Sequence, residues 1–375
     1  MVREVAGRAE ADAFLDLPAR LAPLGWGVPL RFEQALLFDR ARNGFLRTHT
    51  VARFLAWRDG AVVGRIAGCV PQDATATASF GFLCCEADAA VVAALVEAVR
   101  GWIAGPAGGR SAMQGPLSFT INHEVGAQID AFDRPPMLRM PRTPPWLPAM
   151  LDAAGLEPSQ DVVACTLDMA RECHRARYAA LVAARGAEAS RLRIRPLNRR
   201  DFGAEMRHIA TLFNAAWAAN WGAVKLGSAE VETLAGLLRP LLWRGEVLFA
   251  EWDGAPAGLL SLVPNIEPAL PAHGRVLSPA ALRLALALVA PPALGGVGSA
   301  RIPMLGILPE FRGHPAGAWA MGGLLARAFD IAQDRGWRSV EISWILEHNP
   351  AMRNAMARLG APVSGRWRIW RTAHR

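Results

Sequence analysis

Lysine is nearly missing from this 375-residue chain: of its 41 basic residues only Lys225 is not an arginine. The arginines are scattered, and the densest groups, 191–200 and 366–371, alternate with apolar residues as strand faces do. That pattern argues against a nucleic-acid footprint, while the net charge of +8 suits an anionic small molecule. Cysteine is scarce as well. The five (Cys69, Cys84, Cys85, Cys165, Cys173) are odd in number and lack any C-x-x-C spacing, which excludes a disulfide framework and points to a reduced, cytoplasmic setting. No long hydrophobic run occurs. The best candidate, 277–294, is broken by Pro279, Arg283, Pro291 and Pro292, leaving about a dozen apolar residues where a bilayer span needs ~20. The first residues carry Glu and Asp where a secretory leader requires an apolar core, so no export signal is expected. His and Cys nowhere pair at ligand spacing with a carboxylate, and serine- or cysteine-nucleophile signatures are missing. Neither a metal nor a covalent nucleophile is expected.

What is present is ample core material. With 52% hydrophobic and 20% charged residues the chain is globular, and its length exceeds the ~250–300 residues at which single cores stop growing. Two domains are therefore expected. Val51–Val70 alternates apolar and polar residues around Asp59-Gly60, a hairpin signal, and 88–103 has helical periodicity behind an N-cap aspartate. An irregular segment, 115–148, leads to a short helix and a strand at 162–167. A polar, Ala- and Arg-rich helix then connects to a second half with the same order of elements. Helices are expected at 202–217 and 228–242, a hairpin at Asp253-Gly254 and a strand at 302–308. A helix to Arg335, a strand at 339–346, a helix at 350–359 and a terminal strand complete it. Phe54–Gly64 and Phe249–Gly258 correspond almost residue for residue, which reads as duplication of one α/β unit.

Leu308-Pro309-Glu310-Phe311-Arg312-Gly313 opening a helix, followed by a strand and then Asn349 through Leu359-Gly360, resembles the core of the GNAT acyltransferase superfamily. Gly115-Pro116, Asn122-His123-Glu124, Phe132 to Pro136, Asn214-x-x-Trp217-x-x-Asn220-Trp221-Gly222 and Glu341-x-x-Trp344-x-x-Glu347-x-Asn349 narrow the likeness to a bacterial tandem branch. Members of that branch are implicated in making ceramide. The resemblance implies an α/β (α+β) chain of two tandem GNAT-like domains, each a mixed, mostly antiparallel sheet flanked by helices. Their expected bounds are 1–169, a connector helix at 170–190, and 191–375. It implies an N-acyltransferase that moves an acyl group from acyl-CoA, or from acyl carrier protein, to a small-molecule or lipid amine such as a sphingoid base. A cytoplasmic enzyme with peripheral membrane contact and no nucleic-acid partner follows. The alternatives are a non-catalytic acyl-CoA or lipid-binding protein and an aminoacyl-tRNA-dependent transferase.

By matching position, Arg312, Gly313, Gly317 and Ala318 inherit the cradle for the coenzyme A pyrophosphate, where small residues and a helix N-terminus let backbone N–H groups approach. The sequence departs from the family at Pro315, which has no N–H to donate. Leu305, Gly306 and Ile307 inherit polarisation of the thioester carbonyl, with Gly306 expected to carry the bulge that splays this strand from the next. Asn349 completes the donor site. The family's tyrosine acid falls on Met356, and the one tyrosine of the chain is Tyr178. Glu347 is the first candidate base and Glu341, of the same strand parity, the second; His123 and Glu124 are alternatives from the first half. Asn122, Asn214, Trp217, Asn220 and Trp221 are expected to wall the acceptor, and 280–294 to shape an acyl channel or lie on a membrane. The first half shows Phe80 to Glu86 where a phosphate loop would lie, so a single donor site is expected.

Overall fold

The computed structural model describes residues 1–23, 28–107, 109–170, 180, 186–271 and 278–372. Most of the expected connector helix, including Tyr178, lies outside them. Two compact units divide the chain: Met1–Val162, Glu267–Ala281 and Gly365–Arg375 form the first, and Val163–Ile266 with Leu282–Ser364 the second.

The first unit is built on strands β1 (Val2–Glu4), β2 (His49–Arg58), β3 (Ala61–Pro71), β4 (Ala78–Cys85), β5 (Met113–Gly115) and β6 (Ala127–Gln128), and the start of β7 (Leu156–Asp168). The end of the last strand, Val363–Thr372, pairs antiparallel with β5 and β6. Pairing is antiparallel from β1 to β4, and β4–β5 is parallel. Helices α1 (Gly7–Leu21), α2 (Arg31–Leu37), α3 (Ala89–Ala104) and α4 (Leu147–Ala153) surround this sheet. Asp88 caps α3 by accepting the Ala90 and Val91 N–H groups at 2.8 and 3.4 Å. Its face of Val92, Leu95, Val96, Val99 and Trp102 is buried against β3. Gly68 makes that approach possible, since a Cβ there would lie 2.9 Å from the Trp102 ring. The residues before β2, which carry no clear periodic signal in the sequence, form β1, α1 and α2. Helix α1 buries only Phe14 and Leu17 and contains Pro18, too little periodic signal to stand out in sequence.

The second unit holds β8 (Leu192–Pro196), β9 (Glu246–Trp252), β10 (Ala255–Pro264), β11 (Ser299–Ile307) and β12 (Ser339–Leu346), in the order β12-β11-β10-β9-β8. Its helices are α5 (Phe202–Trp217), α6 (Ser228–Leu238), α7 (Ser278–Val289, in this unit from Leu282 on), α8 (Pro315–Asp334) and α9 (Pro350–Leu359). One sheet face packs Leu260, Leu262 and Ile302 against Ala320, Leu324 and Ala328 of α8. The other packs Val247, Phe249 and Leu259 against Met206, Ile209 and Leu212 of α5. Each Leu, Ile, Val, Phe or Met among them, fully buried, contributes ~1.5–3 kcal/mol.

The two units repeat one plan. Both hairpins turn on Asp-Gly with positive φ, 49° and 78° at Asp59-Gly60 and 50° and 80° at Asp253-Gly254, the pairing that matches strand twist. In each the fourth strand is followed by a helix and then a strand parallel to it, β4-α3-β5 and β11-α8-β12. Each fourth strand bulges: Phe82-Leu83 oppose Ile66, and Ile302-Pro303 oppose Leu262.

Candidate active site

Strands β11 and β12 stay paired from Ser299 opposite Ser339 to Ile302 opposite Ile342. Both run on, and a cleft opens between them, lined by Ile302, Pro303 and Leu305 on one side and Ile342 to Leu346 on the other. Two features end the pairing: Pro303 has no N–H to offer, and the bulge at Ile302-Pro303 turns the strand. The bulge thus sits three residues before the expected Gly306. Gly306 serves a different purpose, because a Cβ there would lie 2.4 Å from Trp217 Cη2. Its bare backbone lets the indole lie against the strand.

Leu308 donates its N–H to Ala257 O of β10 at 2.9 Å. Alternation along the strand then turns the N–H groups of Leu305 and Ile307 the other way, toward the cleft. Trp217 and Asn220 close the α5 side, and Asn349 and Met352 line the cleft from the start of α9. Asn349 caps α9, accepting the Met352 N–H at 3.1 Å. Met356, at the family's tyrosine position, is 1% exposed and packed in the core.

The first candidate base, Glu347, falls between two lining residues, Leu346 and Asn349, but is not itself part of the lining. Its side chain is 39% exposed and stands 3.8 Å from Arg353. Glu341 is fully buried. It faces Arg301 across the strand pair and accepts a 2.5 Å hydrogen bond from the Ser343 hydroxyl. Arg301 donates from Nε to Ser343 Oγ at 2.9 Å and from Nη2 to the Ser343 carbonyl at 3.1 Å. Neither Arg301 nor Ser343 is among the site residues expected from the sequence. The signal available was parity itself: Arg301, Glu341 and Ser343 interrupt otherwise apolar strands.

The turn after β11 folds tightly. Gly313 takes φ 75°, and Gly317 has no room for a Cβ, which would lie 2.1 Å from Phe311 O. Pro315 occupies the first position of α8, where a missing N–H leaves no helical bond unmade. His314 caps the helix, its Nδ1 accepting from Ala316 N–H at 3.2 Å. The Gly317 and Ala318 N–H groups bond His314 O at 3.0 and 3.4 Å. Arg312 donates from Nε to Ile307 O at 2.9 Å and from Nη2 to Ala216 O, tying the turn to β11 and α5.

Asn214 orders the loop after α5, its amide exchanging hydrogen bonds with Leu226 N and O at 2.8 and 3.1 Å. Trp221 is half-buried and does not line the cleft. Asn122, His123 and Glu124 belong to the first unit. There Ser118 donates to Glu124 at 3.2 Å, Thr120 hydrogen-bonds His123 at 3.1 Å, and the His123 ring meets Phe45 and Phe119 edge-on. Burial, reinforced by Arg139 and His49, pushes the His123 pKa down to about 3, so its ring is neutral at pH 7. The stretch Phe80 to Cys85 is strand, and the helix after it begins at the Asp88 carboxylate, whose pKa is lowered chiefly by the Ala90 N–H. An anion approaching α3 would meet that charge.

No family model matches the chain. Bacterial ceramide synthase of Caulobacter vibrioides is 30% identical over 374 residues, covering 97% of this chain and 95% of that protein. The chain belongs to the bacterial ceramide synthase family. Protein YghO of Escherichia coli is 29% identical over 99% of this chain and 94% of its own length. A tandem GNAT protein from clavulanic acid biosynthesis superposes with a TM-score of 0.52 at 17% identity, covering 99% of this chain and 98% of that one. That likeness shows the fold of a tandem GNAT protein, and membership of the bacterial ceramide synthase family makes the chain an acyltransferase. Among the described residues no helix is long and apolar enough to cross a membrane.

Proposed function

We propose that the chain N-acylates a primary amine, with the acyl group supplied as a thioester of coenzyme A or acyl carrier protein, and that the acceptor is a long-chain sphingoid base. The observation that carries this reading is the open edge of β11, which turns the Leu305 N–H into the cleft between β11 and β12. A thioester laid along that edge places its carbonyl oxygen on the Leu305 N–H, where developing negative charge is stabilised. The Arg312–Ala318 turn suits a pyrophosphate: Pro315 withholds no donor the helix needs, and a phosphate oxygen replacing the His314 imidazole would receive the Ala316 N–H. Trp217 and Asn220 face the acceptor end.

The lipid character of the acceptor is supported by the near full-length relationship to a protein named bacterial ceramide synthase. Helix α7 supports it too. Leu282, Leu286 and Val289 stand at i, i+4 and i+7 and are 64, 38 and 50% exposed, an apolar face through which the enzyme would meet a membrane carrying its substrates. Residues 280–294 do not line the cleft between β11 and β12.

The test pairs binding with turnover. Palmitoyl-CoA at about 100 times its Kd should raise stability by ~2.7 kcal/mol, and addition of sphinganine should release free thiol. Stabilisation by acetyl-CoA and free coenzyme A but not by palmitoyl-CoA would overturn the long-chain reading. Stabilisation without thiol release for any amine would overturn transfer itself.

A further inference from the structure

A primary amine is protonated at neutral pH and must lose that proton before it can attack a thioester. Glu341, 0% exposed, is not part of the cleft lining, whereas Ser343, itself only 2% exposed, is part of it and holds a 2.5 Å hydrogen bond to Glu341 Oε1. We propose that Ser343 is a catalytic residue that relays the acceptor's proton from the cleft to Glu341, and that Arg301 is the positioning residue that holds it there.

The hydroxyl inventory supports this. A serine hydroxyl has one proton and two lone pairs. The proton is committed to Glu341, and one lone pair receives Arg301 Nε–H at 2.9 Å. In this proposal the second takes an N–H of the acceptor's ammonium group. Arg301 also grips the Ser343 carbonyl at 3.1 Å, so its guanidinium bridges the two strands just where backbone pairing stops after Ile302 and Ile342. An arginine fork holds both the hydroxyl and its backbone in one orientation.

The step balances. An ammonium N–H proton moves to Ser343 Oγ as the hydroxyl proton moves to Glu341 Oε1, converting ammonium and carboxylate into neutral amine and carboxylic acid and regenerating the hydroxyl. The amine lone pair then forms the C–N bond, the C–S bond breaks, and a second N–H proton goes to the departing sulfur. Glu341 returns its proton to solvent through Ser343 after the amide leaves.

The inference rests on the N-acyltransferase reading, and the test separates the two. Thiol release from palmitoyl-CoA with sphinganine would be followed from pH 6 to 10 for wild type, Ser343→Ala, Ser343→Thr and Glu341→Gln, alongside thermal stabilisation by palmitoyl-CoA. Ser343→Ala should keep the stabilisation and lose ~100-fold in kcat near pH 7, the scale of general-base catalysis. The loss should shrink as rising pH delivers neutral amine, and methoxyamine, neutral at pH 7, should react with both proteins alike. Ser343→Thr should retain most activity. A Ser343→Ala loss that is independent of pH and equal for methoxyamine would overturn the relay and leave only packing. A wild type that binds palmitoyl-CoA yet releases no thiol would overturn the acyl-transfer reading and the relay with it.

Discussion

Replacing Gly306 by alanine tests how the cleft is built. The new Cβ would stand 2.4 Å from Cη2 and 2.7 Å from Cζ3 of Trp217, where carbon contacts settle near ~3.5–4.0 Å, so the indole must withdraw by about 1 Å. It has little freedom to do so, being stacked on Phe213 with centroids 4.8 Å apart and planes 20° apart. Overpacking of this kind costs ~1–3 kcal/mol, partly offset by ~0.4–1 kcal/mol because alanine restricts the unfolded chain. The net expectation is a loss of ~0.5–2 kcal/mol in urea unfolding and a fall in kcat/KM, since Trp217 lines the cleft. Trp217→Leu removes the obstructing ring, so the double variant should be more stable than the two single losses sum to, by ~1 kcal/mol or more. A Gly306→Ala protein as stable and active as wild type, or a double-mutant cycle with no coupling, would refute the packing argument.

Gly317→Ala sets a Cβ 2.1 Å from the Phe311 carbonyl, a backbone atom that cannot yield cheaply. Coenzyme A binding followed by calorimetry should weaken at least tenfold and stability should fall by ~1–3 kcal/mol. Burial raises the Glu230 pKa to about 7, so its carboxyl favours the native state only while protonated, and stability drains away as pH climbs from about 4.5 through 7. Glu230→Gln should therefore exceed wild type in unfolding free energy at pH 8, on the order of 2 kcal/mol, and match it at pH 4; equal stability at pH 8 would contradict the burial argument. Charging the α7 face with Leu282→Glu and Leu286→Glu should abolish flotation with anionic vesicles while leaving the folded protein's circular dichroism unchanged.

Much of this architecture is local and was readable. Asp59-Gly60 and Asp253-Gly254 require positive φ at both turn residues, the N-cap residue Asp88 announces its helix, and the apolar spacing of α3 and α5 has the helical period. The segment from Phe80 was harder. Its glycine and cysteines resemble a loop, yet β4 buries both faces between β3 and β5, so no alternation marks it as strand. Helix α1 was invisible because two buried residues make a weak period.

The repeated plan, the hairpins, the Arg-Gly turn that begins α8 and the arginine-dominated charge follow from the order of residues. All of these depend on residues close together in the chain. Tertiary structure alone decided where the strands part and what stands at the parting. The bulge at Ile302-Pro303 exists only relative to the register of β10, and Arg301 meets Ser343 and Glu341 only because two parallel strands some 40 residues apart align Ser299 with Ser339. Side-chain geometry of that kind is set by strand register and the packing that fixes it, and neither can be read from one strand alone.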